Sequence, residues 1–103
     1  MNLEEIVFNL IVHSGNAKGY CFEALNYARK QEFIKADELI SKAKDELLEA
    51  HHIQTQMIQD EASGKKQEVN LLMVHAQDHL MTSSLAKDLI VEMIEMLKDK
   101  SKN

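Results

Sequence analysis

Apolar side chains recur at helical spacing along almost the whole chain, and the pattern divides into three long segments. The first covers about residues 3–31 and the second about residues 34–62, with a short polar connection between them. The third covers about residues 68–99 and follows the one clear loop signal, at residues 62–68. Apolar residues that repeat every three to four positions mark one face of an α-helix. The pattern therefore predicts three long helices and a polar, frayed tail at residues 98–103.

The first two predicted helices each carry one apolar face, as helices that pack on one side do. In the first helix this face consists of Ile6, Leu10, Ala17, Ala24, Leu25 and Ala28. In the second helix it consists of Ala36, Leu39, Ile40, Ala43, Leu47, Ala50, Ile53 and Met57. Lysines and glutamates fill the outer face of the second helix, so we expect the two apolar faces to form much of the core.

Glycines interrupt the pattern at two places. Gly15 and Gly19 lie four positions apart inside the first helix and so share one face. Each costs a helix about 1 kcal/mol relative to alanine. A kink near Ser14 is one explanation, and close approach by a neighbouring helix is the other; the shared face favours close approach. Gly64 lies at the loop and suits a C-terminal cap of the second helix.

The composition agrees with an all-α fold. The chain has 103 residues and no proline, and good helix formers dominate it. Three helices joined by short connections predict an antiparallel, up-down-up three-helix bundle. The length predicts a single domain over residues 1–103.

Charge and cysteine content exclude several classes of function. The net charge is −5 and no basic stripe occurs, so we do not expect nucleic-acid binding. No apolar run reaches the roughly 20 residues of a membrane span. The N-terminal segment carries Glu4 and Glu5 where a secretion signal would carry basic residues. The single cysteine, Cys21, builds no disulfide framework and is expected to pack in the core. We expect a cytoplasmic protein.

The third helix is apolar on most of its circumference, which distinguishes it from the other two. One stripe consists of Leu71, His75, Asp78, Thr82, Leu85, Leu89, Met93 and Met96. A second apolar set consists of Leu72, Ala76, Leu80, Ile90 and Ile94. Only a narrow strip is expected to be fully solvated: Gln77, Ser84, Asp88 and Glu95. Two neighbouring helices cannot cover that much apolar surface. The pattern therefore predicts self-association, with one stripe in the core and the other against copies of the chain.

Asp78 lies in a stripe that association would bury. A buried carboxylate is costly unless it is paired, protonated or bound to a cation. Across a symmetry axis Asp78 would meet its own copies, and like charges there could not all remain ionised without a counterion. Carboxylate oxygens suit a hard cation.

His75 and His79 have the spacing of two ligands on a zinc helix, but the rest of that motif is missing. Ala76 follows the first histidine, where a zinc protease has glutamate. No third ligand is evident, although His51 and His52 are candidates. Zinc hydrolysis is therefore disfavoured.

Two other interpretations of the histidines remain open from the residues alone. Both side chains could be hydrogen-bonded core groups of a non-catalytic oligomerisation module. Alternatively, a neutral imidazole could accept a phosphoryl group as a nucleophile. Polar groups that could assist are Gln77, His79 and Thr82, although Gln77 points well away from His75 on an ideal helix. The chain has no glycine loop for a nucleotide, so the phosphoryl group would come from another protein.

Three segments together are similar to a known family. The segment "VHAQDHLMT" (residues 74–82) resembles its active-site signature. The segments "EAHHIQTQMIQDEASG" (residues 49–64) and "HSGNAKGYCFEAL" (residues 13–25) resemble its second and first helices. The family is the enzyme IIA component of the lactose/N,N′-diacetylchitobiose (cellobiose) class of the bacterial sugar phosphotransferase system.

The resemblance implies a homotrimer of nine helices in which His75 carries the phosphoryl group. The donor would be the histidine-containing phosphocarrier protein, and the acceptor a cysteine of the cognate IIB protein. Gln77 and His79 match positions close to the phosphoryl group. Asp78 matches a buried aspartate at the trimer centre, where some members hold a metal ion, magnesium or similar. No organic cofactor is implied. The residues of the matched segments favour a cellobiose- or chitobiose-type disaccharide over lactose.

Overall fold

The computed structural model describes residues 2–102 and confirms an all-α chain. Three helices follow one another: α1 (Leu3–Arg29), α2 (Phe33–Ala62) and α3 (Leu71–Ser101). No strand occurs in the described part of the chain. The helices lie side by side in a bundle of 56 × 20 × 19 Å. Among residues 2–102, none of the helices combines the length and the hydropathy that crossing a membrane requires.

Contacts between side chains fix the direction of each helix. Between α1 and α2 the pairs are His13 with Glu46, Tyr20 with Lys42, and Tyr27 with Lys35. Between α2 and α3 the pairs are Asp37 with Lys98, His51 with Ser84, and Gln54 with Gln77. In both sets the numbers rise on one helix as they fall on the other. The bundle is therefore antiparallel in up-down-up order, as predicted.

The first two helices both end in a Schellman motif, in which amides after the helix donate to carbonyls of its last turn. After α2, Lys65 N–H donates to Asp60 at 2.8 Å and Gly64 takes φ 95°. The predicted glycine cap is thus confirmed. After α1, Glu32 N–H donates to Tyr27 at 3.0 Å, but Gln31 occupies the left-handed position with φ 63°. This conformation costs a non-glycine residue about 1–2 kcal/mol, so the residue type gave no sign of the turn.

The helix boundaries differ from the prediction at three places. α1 ends at Arg29 because the turn at Gln31 begins earlier than the apolar pattern indicates. α3 begins later than predicted because the Asn70 side chain accepts from Met73 N–H at 2.9 Å and caps the helix there. α3 also extends to Ser101, so the predicted fraying of residues 98–102 is wrong; Asn103 lies outside the described residues. Lys98 instead binds the carboxylate of Asp37 on α2 at 2.9 Å.

The predicted apolar faces of α1 and α2 form the core. Every residue of both sets is buried except Ile6, Leu25 and Ile53, which are half-buried and pack against the core. Cys21 is fully buried among them, as predicted. Two serines, Ser14 and Ser83, are also fully buried, and their hydroxyls have no hydrogen-bond partner within residues 2–102.

Gly15 and Gly19 lie on the exposed surface of α1. A Cβ built at either position would meet nothing within 4 Å. The predicted close approach by another helix of the same chain is therefore wrong. α1 is continuous through both glycines. Helical propensity alone cannot show which face of a helix a neighbour covers.

α3 has the two faces that the pattern predicts. The core-facing residues Ala76, Leu80, Ile90 and Ile94 are buried, whereas Leu72 of the same set is 52% exposed. Every residue of the other stripe is exposed: Leu71, His75, Asp78, Thr82, Leu85, Leu89, Met93 and Met96. We call these residues the outward stripe. Its exposed apolar side chains run the full length of α3, and soluble monomers rarely expose so continuous an apolar surface.

The expected solvated strip is partly wrong. Asp88 and Glu95 are exposed, but Gln77 and Ser84 are half-buried. Both face α2, where Gln77 bonds to Gln54 and Ser84 bonds to His51. Polar side chains between two helices lie beside the apolar core without belonging to it, so a hydrophobic pattern does not detect their contacts.

Candidate functional site

The first turns of α3 bring two histidine rings together. His75 is exposed and His79 is half-buried one turn later. Their ring centroids lie 4.9 Å apart with the planes at 87°, an edge-to-face arrangement. The exposed His75 ring makes no hydrogen bond with residues 2–102. The two histidines that the sequence places four positions apart are thus in contact, and His75 is the more exposed of the two.

Thr82 was a candidate for binding a phosphoryl group, and its geometry argues against that role. Its hydroxyl donates to the backbone oxygen of Asp78 at 2.8 Å and lies 3.3 Å from that of His79. A hydroxyl has one proton to donate. Because the helix backbone takes this proton, Thr82 has none left for a phosphoryl oxygen.

Gln77 lies on the other side of α3 from His75. Residues two positions apart in an α-helix are separated by about 200° around its axis. The Gln77 side-chain amide faces α2, where Gln54 Nε2 donates to Gln77 Oε1 at 2.9 Å. One chain therefore does not bring Gln77 and His75 to the same site. Gln54 was not identified from the sequence. The only sign of its role there was a polar residue beside the apolar face of the second helix.

Asp78 lies in the outward stripe, one turn from His75. Its carboxylate is exposed and makes no hydrogen bond or ion pair with residues 2–102. In the same part of the chain, no group of three histidine, cysteine, aspartate or glutamate side chains could hold a metal ion. At the position of Asp78, one chain thus offers a single free carboxylate. A cation site would need the carboxylates of several copies.

Two of the remaining histidines, His13 and His51, make contacts between helices. His51 Nε2 lies 3.2 Å from the Ser84 hydroxyl and connects α2 to α3. His13 Nδ1 lies 2.5 Å from the Glu46 carboxylate and connects α1 to α2. His52 is exposed on α2. These contacts account for His13 and His51 without a role in phosphoryl chemistry.

Comparison with known proteins places the chain clearly. The family model "PTS system, Lactose/Cellobiose specific IIA subunit" matches residues 5–98. The lichenan-specific phosphotransferase enzyme IIA component of Bacillus subtilis is 45% identical over 94 residues, which are 91% of this chain and 86% of that protein. The N,N′-diacetylchitobiose-specific EIIA component of Escherichia coli is also 45% identical, over 91% of this chain and 81% of that protein.

Solved structures agree with the sequence comparison. A crystal structure of the cellobiose-specific enzyme IIA from Bacillus anthracis superimposes with a TM-score of 0.94 and 44% identity, covering 100% of this chain and 95% of that one. A solution structure of the Escherichia coli IIA(Chitobiose)–HPr complex gives a TM-score of 0.84 and 40% identity, with 98% of each chain covered.

Proposed function

The chain belongs to the lactose/cellobiose-specific IIA subunits of the sugar phosphotransferase system, and we propose that His75 carries the phosphoryl group. The family makes the protein a phosphotransferase component. His75 supports the assignment because its ring is exposed and no protein group occupies its nitrogens. The exposed ring of His75, in contact with His79, is the observation that carries the proposal.

The proposed reaction exchanges one phosphorus bond for another. An unprotonated ring nitrogen of His75 attacks phosphorus on a histidine of the donor. A P–N bond to His75 forms, the donor's P–N bond breaks, and the donor ring leaves with the electron pair. In the second half-reaction a thiolate of the acceptor attacks, an S–P bond forms, and the His75 ring leaves. We propose that His79, whose ring contacts that of His75, donates an N–H to the phosphoryl oxygens. Positioning and charge neutralisation, rather than covalent help, are what phosphoryl transfer needs.

We propose the histidine-containing phosphocarrier protein as donor and a cysteine of the cognate IIB protein as acceptor. The complex of the related Escherichia coli protein with HPr supports this donor. The surface around His75 suits a protein partner, because Leu71, Leu72 and Val74 are 85%, 52% and 51% exposed. An apolar rim also reduces the repulsion between this acidic chain and a phosphorylated partner.

We propose that three chains associate through the outward stripe from Asp78 to Met96, which leaves Leu71 and His75 accessible beyond the interface. The leucines and methionines of that part are 44–68% exposed in one chain, and packing them against copies would remove them from water. Around a three-fold axis the nine helices would form one bundle with α3 at its centre.

The trimer would also bring His75 and Gln77 together. On α3, Asp78 lies between the side that carries His75 and the side that carries Gln77. In a ring of identical chains, one side of each copy faces the opposite side of the next. We therefore propose that Gln77 of one copy serves His75 of its neighbour. This arrangement resolves the separation of the two residues within one chain.

We further propose that the Asp78 carboxylates of three copies bind one divalent cation of the magnesium type. Carboxylate oxygens are the ligands that such ions prefer, and the Asp78 carboxylate has no partner among residues 2–102. The cation would supply charge compensation at the trimer axis. The phosphoryl chemistry stays with His75, one helical turn away.

The sugar is proposed from the relatives. Relatives that are 44–45% identical are named for lichenan, N,N′-diacetylchitobiose and cellobiose, and a relative that is 40% identical is named for lactose. A disaccharide of the cellobiose or chitobiose type is therefore favoured over lactose. The protein hands on phosphate rather than sugar, so none of its side chains needs to recognise the sugar. Such a carrier would work in the cytoplasm.

Phosphorylation by purified components tests the proposed function. The protein is incubated with phosphoenolpyruvate, enzyme I and the phosphocarrier protein, and its mass is measured. We expect each chain to gain one phosphoryl group that acid removes and base does not, as for phosphohistidine. No gain in mass, with a known IIA protein phosphorylated in parallel, would refute the carrier function.

Cys21→Ser is expected to leave phosphoryl transfer intact, because the acceptor cysteine belongs to another protein. Cys21 is buried, and burial raises the pKa of its thiol, with Lys87 lowering it less. A raised pKa means less thiolate at pH 8, so alkylation of native Cys21 should be slow and should accelerate on unfolding. Transfer rates of parent and variant are compared at equal trimer content. Loss of transfer by a folded Cys21→Ser trimer would contradict this prediction.

A further inference from the structure

An amide pair connects α2 to the helix that carries the phosphoryl site. Gln54 Nε2 on α2 donates to Gln77 Oε1 on α3 at 2.9 Å. We infer that Gln54 is a positioning residue for phosphoryl transfer, which turns the N–H groups of Gln77 toward the transferred group. The inference rests on the proposed function, because it concerns the Gln77 that one copy supplies to the His75 of the next.

The chemistry of the amide explains why its orientation matters. A glutamine side chain ends in one acceptor oxygen and one NH₂ donor, and the two can exchange places by rotation. Phosphoryl oxygens are acceptors, so only the NH₂ end can stabilise them, and the oxygen end would repel them. An unrestrained Gln77 would therefore present the wrong atom for part of the time.

Gln54 removes this ambiguity. Because its NH₂ donates to Gln77 Oε1, rotation of Gln77 would place two NH₂ groups against each other and lose the hydrogen bond. Such a half-buried neutral hydrogen bond favours the bonded orientation by a factor of about 2 to 13. That range is enough to keep the NH₂ of Gln77 turned away from Gln54 most of the time.

The sulfur atoms around the pair support the same orientation. Gln77 Nε2 lies 3.6 Å from Met73 Sδ and 3.7 Å from Met57 Sδ. Gln54 Nε2 also lies 3.8 Å from Met81 Sδ. Thioether sulfur is a weak acceptor, so these contacts hold the NH₂ group without competing with a charged phosphoryl oxygen.

The pair is accessible to a ligand. Gln54 and Gln77 line a cleft of about 250 Å³ between α2 and α3, next to the loop that joins them. Met57 and Met73 line the same cleft. Gln77 therefore borders an open cleft, and the phosphoryl group of a neighbouring copy would have to enter this cleft to reach its NH₂ group.

Gln54→Glu is the informative variant, because it exchanges the donor NH₂ for an acceptor oxygen. The Gln77 NH₂ should then turn to the introduced carboxylate, leaving its oxygen toward the phosphoryl group. We expect the rate of transfer from the phosphorylated carrier protein to fall about tenfold, which is less than the roughly 10²–10³-fold cost of removing an oriented donor outright. The fall should be in kcat with KM unchanged, because the docking surface is untouched. Gln59→Glu, an exposed glutamine on the same helix, is the control for added charge and should keep the parent rate.

A double-mutant cycle with Gln77→Leu separates orientation from simple charge repulsion. If Gln54 acts through Gln77, Gln54→Glu has no further effect in the Gln77→Leu trimer. An equal slowing in both backgrounds would show repulsion by the new carboxylate and would overturn the inference. A parent rate for Gln54→Glu alongside a slow Gln77→Leu would also overturn it, while leaving the role of Gln77 intact.

Two further controls complete the test. Trimer content and melting temperature are measured for each variant. Gln54→Leu lacks the donor and adds no charge, so it should slow transfer by a smaller factor than Gln54→Glu. This slowing should also be absent in the Gln77→Leu background. If Gln54→Glu does not fold, Gln54→Leu serves as the test instead. Phosphoryl transfer by Gln54→Leu at the parent rate would then overturn the inference. If Gln77→Leu itself transfers at the parent rate, the inference fails together with the proposed role of Gln77, whereas phosphorylation of His75 stands or falls by its own variant.

Discussion

His75→Ala is expected to abolish phosphorylation completely while the fold and the proposed trimer persist. The substitution removes the nucleophilic nitrogen, and no other side chain on α3 can replace it at the same position. His75 is exposed and makes no hydrogen bond with residues 2–102, so its loss should change the free energy of unfolding by less than about 0.5 kcal/mol. Mass spectrometry after incubation with the phosphoryl donors measures the first effect, and thermal melting the second.

Two other histidine variants make this result specific. His79→Ala should be phosphorylated more slowly but not lose phosphorylation, because His79 touches the His75 ring from one turn away and acts as a helper. His52→Ala, at an exposed position on α2, should be indistinguishable from the parent. If His79→Ala loses the phosphate and His75→Ala keeps it, the roles of the two residues are reversed.

Hydrophobic periodicity predicted the helices and their core faces because burial is an individual preference of each apolar residue. The faces of α1 and α2 needed only a count of positions, and they are buried as expected. The same count showed that α3 has more apolar surface than two neighbours can cover. The exposure of Leu85 and Leu89 in the single chain agrees with that surplus.

Features that depend on paired residues escaped prediction. Gln54 and Gln77 meet through single polar atoms on two helices, and neither residue alone indicates the other. Gly15 and Gly19 share a face, but sequence cannot tell whether that face meets another helix. Periodicity describes one helix at a time, whereas these features belong to two.

The candidate site shows the same division. The contact between His75 and His79 follows from their spacing of four positions on one helix. The separation of Gln77 from His75 also follows from spacing, but its meaning depends on how copies of the chain associate. Resemblance to the family supplied that step as a proposal. Elementary geometry then requires a second copy wherever both residues serve one phosphoryl group.

Asp78→Leu is expected to form a trimer at least as resistant to heat as the parent and insensitive to chelator. In the proposed trimer, Asp78 meets its copies at the axis, where the repulsion must be relieved by a cation or by protons. Leucine needs neither, and replacing buried charge with an apolar side chain is often neutral or stabilising, by about 1–4 kcal/mol. Analytical ultracentrifugation and thermal melts, each with and without chelator, measure the effect. Phosphoryl transfer should continue, since His75 is unchanged.

Leu89→Asp, the reverse substitution on the same stripe, is the matched control. Leu89 is 51% exposed in one chain, and the variant would place like charges together at the axis with no site built for a cation. We expect it to dissociate to monomers, because an unpaired buried charge costs about 3–5 kcal/mol. A trimeric Leu89→Asp protein would refute the outward stripe as the interface. A monomeric or unfolded Asp78→Leu protein would instead show that the carboxylate makes a required contact, since removing repulsion alone cannot weaken the assembly.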